Sequence, residues 1–144
     1  MNQFQMPVQV RWADLDPNFH LRHSVYYDWG SMCRFDYLHN KGLTAQVFQK
    51  LKFGPIIFRE ECVFRKEIKY GDVITINLKL IKGRKDYSRW TIGHEIIKNE
   101  DTLAAIVTVD GAWMNVVERK LFVPPAEVEH VFSIMPMDEN IILE

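Results

Sequence analysis

The sequence predicts an α+β domain in which one long central helix is wrapped by a curved antiparallel sheet of about five strands. Three observations carry that prediction. One stretch alone, from Ser24 to Lys41, repeats apolar residues at helical spacing over several turns. Most of the chain after Gly54-Pro55 alternates apolar and polar residues with a period of two. The later extended runs are joined by short polar turns, which suit hairpins rather than parallel crossovers.

Taken in order, Val8, Val10 and Trp12 alternate with Gln9, Arg11 and Ala13, predicting a first strand with one buried face. From Ser24 the period changes. Val25, Tyr26, Trp29, Met32, Cys33 and Tyr37 form a broad apolar stripe, Ser24 suits the N-cap of the helix and Gly42 suits its stop. Thr44 to Lys50 adds one or two further helical turns, and Ile56 to Ile68 is a long extended run. After a turn at Gly71-Asp72, Ile74, Ile76, Leu78 and Leu80 alternate with Val73, Thr75, Asn77 and Lys79. Gly83-Arg84-Lys85-Asp86 turns the chain again, and Trp90, Ile92, His94 and Ile96 share the next strand face. Asn99-Glu100-Asp101 closes a hairpin into Leu103 to Asn115, where Gly111 marks an expected bulge. Pro124-Pro125 opens a short helix through Val131. Trp29, Phe35, Phe58 and Trp90 are expected first as core aromatics. A sheet of this kind has an open edge that pairing with a second copy would cover, so a homodimer is expected.

The 144 residues fit a single domain spanning 1–144, with 47% apolar and 26% charged residues as in ordinary soluble globular proteins. A net charge of -1 argues against non-specific nucleic-acid binding, which needs many cationic phosphate contacts. Cys33 and Cys62 form no Cys-x-x-Cys pair and sit in apolar stretches, so buried thiols are expected rather than a metal or redox motif. The N-terminal Met1 to Pro7 has neither a basic start nor an apolar run, and no stretch approaches a membrane span, so a cytoplasmic protein without membrane contact is expected.

The most informative segment joins the first strand to the helix: Asp14-Leu15-Asp16-Pro17-Asn18-Phe19-His20-Leu21-Arg22-His23-Ser24-Val25-Tyr26-Tyr27. Polar groups concentrated between two rigid elements can face a substrate while the elements hold them still. This run resembles the signature of the 4-hydroxybenzoyl-CoA thioesterase-like branch of the hotdog-fold proteins, with its Asp-x-Asp, short loop, histidine and helix tyrosine. Gly54-Pro55-Ile56-Ile57-Phe58-Arg59-Glu60, Lys69-Tyr70-Gly71-Asp72-Val73-Ile74, Arg89-Trp90 through Ile96, Leu103 through Val109, and Arg119 to Pro124 resemble later family segments in the same order. The chain departs from the family pattern at Phe19, where glycine is frequent, at Arg22-His23, and at Ser31, which stands where some branches carry an acid. Arg34, three residues on, matches.

The resemblance implies an acyl-CoA thioesterase acting on acyl-CoA or acyl-carrier substrates, a homodimer or homotetramer, with no cofactor beyond the coenzyme A of the substrate itself and no metal. Asp16 matches the acid that acts as nucleophile or general base, and such a carboxylate can attack a thioester carbonyl or activate water for that attack. His23, seven residues on, matches a histidine that assists hydrolysis in some relatives. His20 matches the loop histidine, and Tyr26 the tyrosine at the helix start. Unpaired amides at the start of a helix carry partial positive charge, so those of Ser24, Val25 and Tyr26 are candidate oxyanion donors. Asp14 is expected to be structural. Arg59, Arg65, Lys82, Arg84 and Lys85 are candidates for contacting coenzyme A phosphates. Two rival readings remain: a metal-dependent hydrolase using Asp14, Asp16, His20 and His23, and a non-catalytic acyl-CoA binding module on the same fold. The histidine-and-acid motif of hotdog dehydratases is not found.

Overall fold

The computed structural model describes residues 3–144. Among these residues one curved sheet contains β1 (Gln5–Val8), β2 (Phe53–Phe64), β3 (Ile74–Asn77), β4 (Lys79–Gly83), β5 (Arg89–Lys98), β6 (Thr102–Asn115), β7 (Lys120–Leu121) and β8 (Met137–Leu143). Three helices accompany it: α1 (His23–Asn40), α2 (Ala45–Leu51) and α3 (Ala126–Ser133). Both β3 and β4 pair antiparallel with β5, as two halves of one bent run. Next comes β6, antiparallel to β5 and to β2, while β1 lies beside β3 and β8 beside β4. This is the hotdog arrangement that the sequence predicts. It exceeds the expected strand count because β3 and β4 are separate strands and because β7 and β8 were not anticipated.

Helix α1 forms the filling. Val25, Tyr26, Trp29, Cys33 and Tyr37 are buried at spacings that fall on one helical face. Gly30 lets that face lie close to the sheet, since a Cβ there would sit 3.3 Å from His94 Cδ2 and 3.5 Å from Val107 Cγ1. The helix stops as expected. Gly42 takes φ +98°, its N–H donates to His39 O and the Leu43 N–H donates to Leu38 O, with both leucines in the core. Its start differs: Arg22 occupies the N-cap position and Ser24 lies inside the first turn. The Thr44 side chain caps α2 by accepting from the Val47 amide.

The expected alternation holds along β3 to β5. Ile74, Ile76, Leu78 and Leu80 are buried on one run, and Trp90, Ile92, His94 and Ile96 on the other. Three expectations need correction. The first strand ends at Val8, and Trp12 belongs to a 3-10 turn, Trp12–Asp14, where it is 72% exposed. Phe35 and Phe58 are about half exposed rather than core, because they lie on faces of α1 and β2 turned away from the packed interior. The bulge falls on β2 between Ile57 and Arg59, opposite Gly111 and Asp110, rather than on Gly111 itself. Gly111 is required by packing: a Cβ there would overlap the Trp90 ring.

Among the described residues β2 pairs only with β6, which leaves its other side as an open edge along a strand of 12 residues. Gly111→Ala is expected to lower stability by about 1–3 kcal/mol, because Trp90 must leave its rotamer or the strands must part. Urea unfolding checks this, and an unchanged midpoint at unchanged slope would contradict the packing role.

Candidate active site at the start of the long helix

The connection from β1 to α1 is a loop held at several points. The buried Asp14 carboxylate accepts from Arg11 N (3.0 Å), Arg11 Nε (3.1 Å) and Arg11 Nη2 (2.7 Å). The hydrogen-bonding guanidinium holds the Asp14 pKa below the usual carboxylate range, against the opposing pull of burial. Arg22 fastens the other side: its amide donates to Asp14 O (2.7 Å), Nη1 to Ala13 O (2.6 Å) and Nε to Ser24 Oγ (2.9 Å). Leu21 N–H donates to Ile68 O, tying the loop to the segment after β2. The Asp14 carboxylate is thus engaged by Arg11 within the loop itself.

Asp16 sits in the middle of this frame, half-buried. Its Oδ1 accepts from the amides of Asn18 (2.8 Å) and His20 (3.1 Å), while Oδ2 has no hydrogen bond from any described residue. Its backbone closes the loop, with Asp16 N–H donating to His20 O and Phe19 N–H to Asp16 O. Phe19 takes φ +64°, a left-handed conformation that explains why glycine suits this position elsewhere. The Phe19 ring lies exposed beside Trp12, 6.2 Å between centroids. One oxygen of the carboxylate is thus held by the backbone, and the other has no hydrogen bond from a described residue.

His23 is the first residue of α1, exposed, beside Asp16 in an open cleft of about 400 Å³ that also includes His20, Tyr26, Phe64 and Arg65. His20 Nε2 lies 3.2 Å from Glu67 Oε2, so its ring is already engaged. Because the helix starts at His23, the amides of His23 and Ser24 are the ones without partners among the described residues. Val25 N–H donates to Arg22 O (3.0 Å) and Tyr26 enters the regular helical ladder, so those two are not free donors as expected. The Ser24 hydroxyl accepts from Arg22. Burial, reinforced by Cys62, Asp16 and Glu67, pushes the Tyr26 phenol up to about 12, so it can donate a hydrogen bond but not serve as a base near neutrality.

The candidate phosphate contacts divide. Arg65 shares the Asp16 cleft. Lys82 and Arg84 border a different cleft with Phe58 and Arg89, at the far end of the sheet, and Lys85 lies on the same turn. Arg59 is paired with Glu61 on the exposed face of β2 (2.7 Å). Within one copy, Lys82, Arg84 and Lys85 therefore do not join the Asp16 site. Of the four residues in the metal-hydrolase reading, Asp14 is held by Arg11 and His20 lies against Glu67, while Asp16 and His23 share the cleft.

Sequence reasoning missed a second polar cluster. Arg34 of α1 and His94 of β5 are both buried, and Arg34 Nη1 donates to His94 Nε2 at 3.0 Å. His94 Nδ1 donates in turn to Asn77 O at 2.8 Å, which fixes a neutral tautomer. Burial, together with the Arg34 charge, pushes the His94 pKa down to about 3. The available signal was a histidine on an otherwise apolar strand face and an arginine beside the helix stripe. Arg34 also borders an apolar cavity of about 400 Å³ between α1, α2 and the sheet, walled by Phe35, Phe48, Trp90, Trp113 and Phe132.

The sequence profile of the thioesterase-like superfamily matches residues 10–132. Solved structures share the fold at low identity. A Staphylococcus aureus protein determined in complex with CoA is 21% identical over 94% of this chain and 87% of its own, with a TM-score of 0.83. The 1,4-dihydroxy-2-naphthoyl-CoA thioesterase of Synechocystis is 19% identical over 91% of this chain and 96% of its own, with a TM-score of 0.81. The DHNA-CoA thioesterase of Staphylococcus aureus is 17% identical over 92% and 90%, with a TM-score of 0.82. None of the curated proteins matches the chain in sequence.

The folded-state pKa of His94 lies below that of the unfolded chain, so the unfolded state takes up the extra proton first. This group therefore draws stability away as pH falls below about 6.5, and adds no pH dependence above it. The imidazole is expected to remain the neutral Nδ1–H tautomer from pH 7 to about pH 4.5, read from its ring 15N shifts. A His94 ring that titrates near pH 6.5 would contradict the buried pairing.

Proposed function

The chain belongs to the thioesterase-like superfamily, and on that premise we propose that it hydrolyses the thioester bond of acyl-coenzyme A or a related acyl carrier. The observation that carries this reading is the Asp16 carboxylate, half fixed by loop amides and half free, in a cleft at the N-terminus of α1. A thioester carbonyl is electrophilic and a thiolate leaves readily, so a positioned carboxylate suffices without a metal.

In the hydrolytic step Asp16 takes a proton from water as the water oxygen bonds to the carbonyl carbon. The tetrahedral oxyanion is met by the unpaired amides of His23 and Ser24 at the positive end of the helix. The C–S bond then breaks, giving the acid and a thiolate, and His23 is placed to protonate that thiolate. The same geometry serves attack by Asp16 itself through an anhydride that water later opens. Arg65 at the cleft is suited to a phosphate of coenzyme A.

The working unit is proposed as a homodimer. The β2 edge is open, and antiparallel pairing of two copies along it would satisfy its unpaired backbone groups. Such pairing brings the Pro55 end of one strand beside the Phe64 end of the other. The apolar cavity bordered by Pro55 and Ile57, and the basic turn at Lys82 and Arg84, would then approach the other copy's Asp16 cleft. The far-end cations thereby become available as phosphate contacts.

Two outcomes are expected. Thiol release from a panel of short, medium, long and aromatic acyl-CoAs is expected on some member and reduced by roughly a hundredfold or more in Asp16→Asn. Equal rates would remove Asp16 from the reaction, and binding without release would favour the non-catalytic module. Light scattering after size exclusion is expected to give the mass of two or four chains, and a monomer at working concentration would overturn the edge pairing.

A further inference from the structure

We propose that Arg34 selects the acyl group, and that the cavity beside the middle of α1 takes acyl chains ending in a carboxylate. The inference rests on the thioesterase reading for its route to catalysis, but the binding chemistry stands on the cavity itself.

Arg34 is the single charged residue among those bordering the cavity, whose other walls are chiefly aromatic and aliphatic. Its guanidinium carries five N–H donors. Among the described residues only Nη1 makes a hydrogen bond, to His94, and that partner is held neutral, so it supplies an acceptor without compensating charge. Glu60 Oε2 forms a long ion pair with Nη2 at 4.0 Å, beyond hydrogen-bond distance, from a side chain that is 31% exposed. A guanidinium at the wall of an apolar cavity loses its water when hydrocarbon fills that cavity, and keeps a partner when the occupant carries an anion. A methyl-terminated acyl chain would fill the apolar walls and leave those donors dry. A terminal carboxylate would accept two parallel hydrogen bonds from the planar fork. The remaining length of the chain suits the aromatic walls.

The position fits the proposed dimer. Arg34 is eleven residues beyond His23, about 16 Å along the helix axis, so a chain attached at the Asp16 cleft of its own copy must be long to reach it. Pairing along β2 instead brings the cavity towards the cleft of the other copy.

The test compares turnover of ω-carboxyacyl-CoA with that of the methyl-terminated acyl-CoA of equal length, at six, eight and ten carbons. The wild type is expected to favour the carboxylated member in kcat/KM by on the order of 10- to 100-fold at its best length. Arg34→Gln is expected to bring that ratio close to one. A wild type indifferent to the carboxylate at every length, or one preferring the methyl end, overturns the inference without any variant needing to fold. Calorimetry with monomethyl octanedioate and dimethyl octanedioate separates the two readings. The monoester carries one carboxylate and the diester none, and neither requires hydrolysis. Monoester binding that is tighter than diester binding and lost in Arg34→Gln, with no thioester turned over, upholds the role of Arg34 and removes the hydrolase. Turnover with equal binding of both esters does the reverse.

Discussion

Enclosure of α1 by the sheet is the constraint on which the rest of the structure depends. An aromatic-rich helix of 18 residues cannot bury Tyr26, Trp29, Cys33 and Tyr37 against a flat sheet, so the sheet curves around it. Each large buried side chain contributes roughly 1.5–3 kcal/mol relative to exposure, enough to dominate local preferences. The close approach at Gly30, beside His94 and Val107, is a feature that lets helix and sheet meet. With the helix fixed, its N-terminus, its middle and the open β2 edge are fixed relative to one another. All three places with chemical potential lie on that frame.

The helix start gains its chemical character from position more than from unusual residues. Arg11, Asp14 and Arg22 spend their charges on the loop itself, and in doing so they hold Asp16 with one oxygen engaged and one free. The amides of His23 and Ser24 require no side chain and are oriented by the helix. The middle of the helix follows the opposite logic. There Arg34 and His94 form a buried polar pair beside a cavity otherwise lined by apolar side chains.

Much of this was legible in the residues. Strict alternation from Ile74 to Leu80 and from Trp90 to Ile96 announces strands because each has one buried face. The long helix and its Gly42 stop announce themselves through apolar spacing and a glycine that must take positive φ. β8 was not legible: in Met137–Leu143 the first residue is followed by Asp138, Glu139 and Asn140, and it is a strand because β4 offers a parallel edge. The Asp16 loop was visible as a motif, yet the true helix start at His23 was not, since Arg22 rather than a Ser side chain occupies the cap position. The Arg34–His94 contact joins residues sixty apart in sequence, and no local pattern encodes such a pairing. Phe35 and Phe58 look like core in the sequence because apolarity alone does not tell a buried side chain from an exposed one.

The most direct measurement is a crystal structure of Asp16→Asn holding an intact acyl-CoA that the wild type turns over. The account predicts the thioester carbonyl carbon within about 3.5 Å of the residue-16 side chain, with its oxygen facing the amides of His23 and Ser24. A thioester bound well away from residue 16, or with its oxygen turned from the helix start, would contradict it.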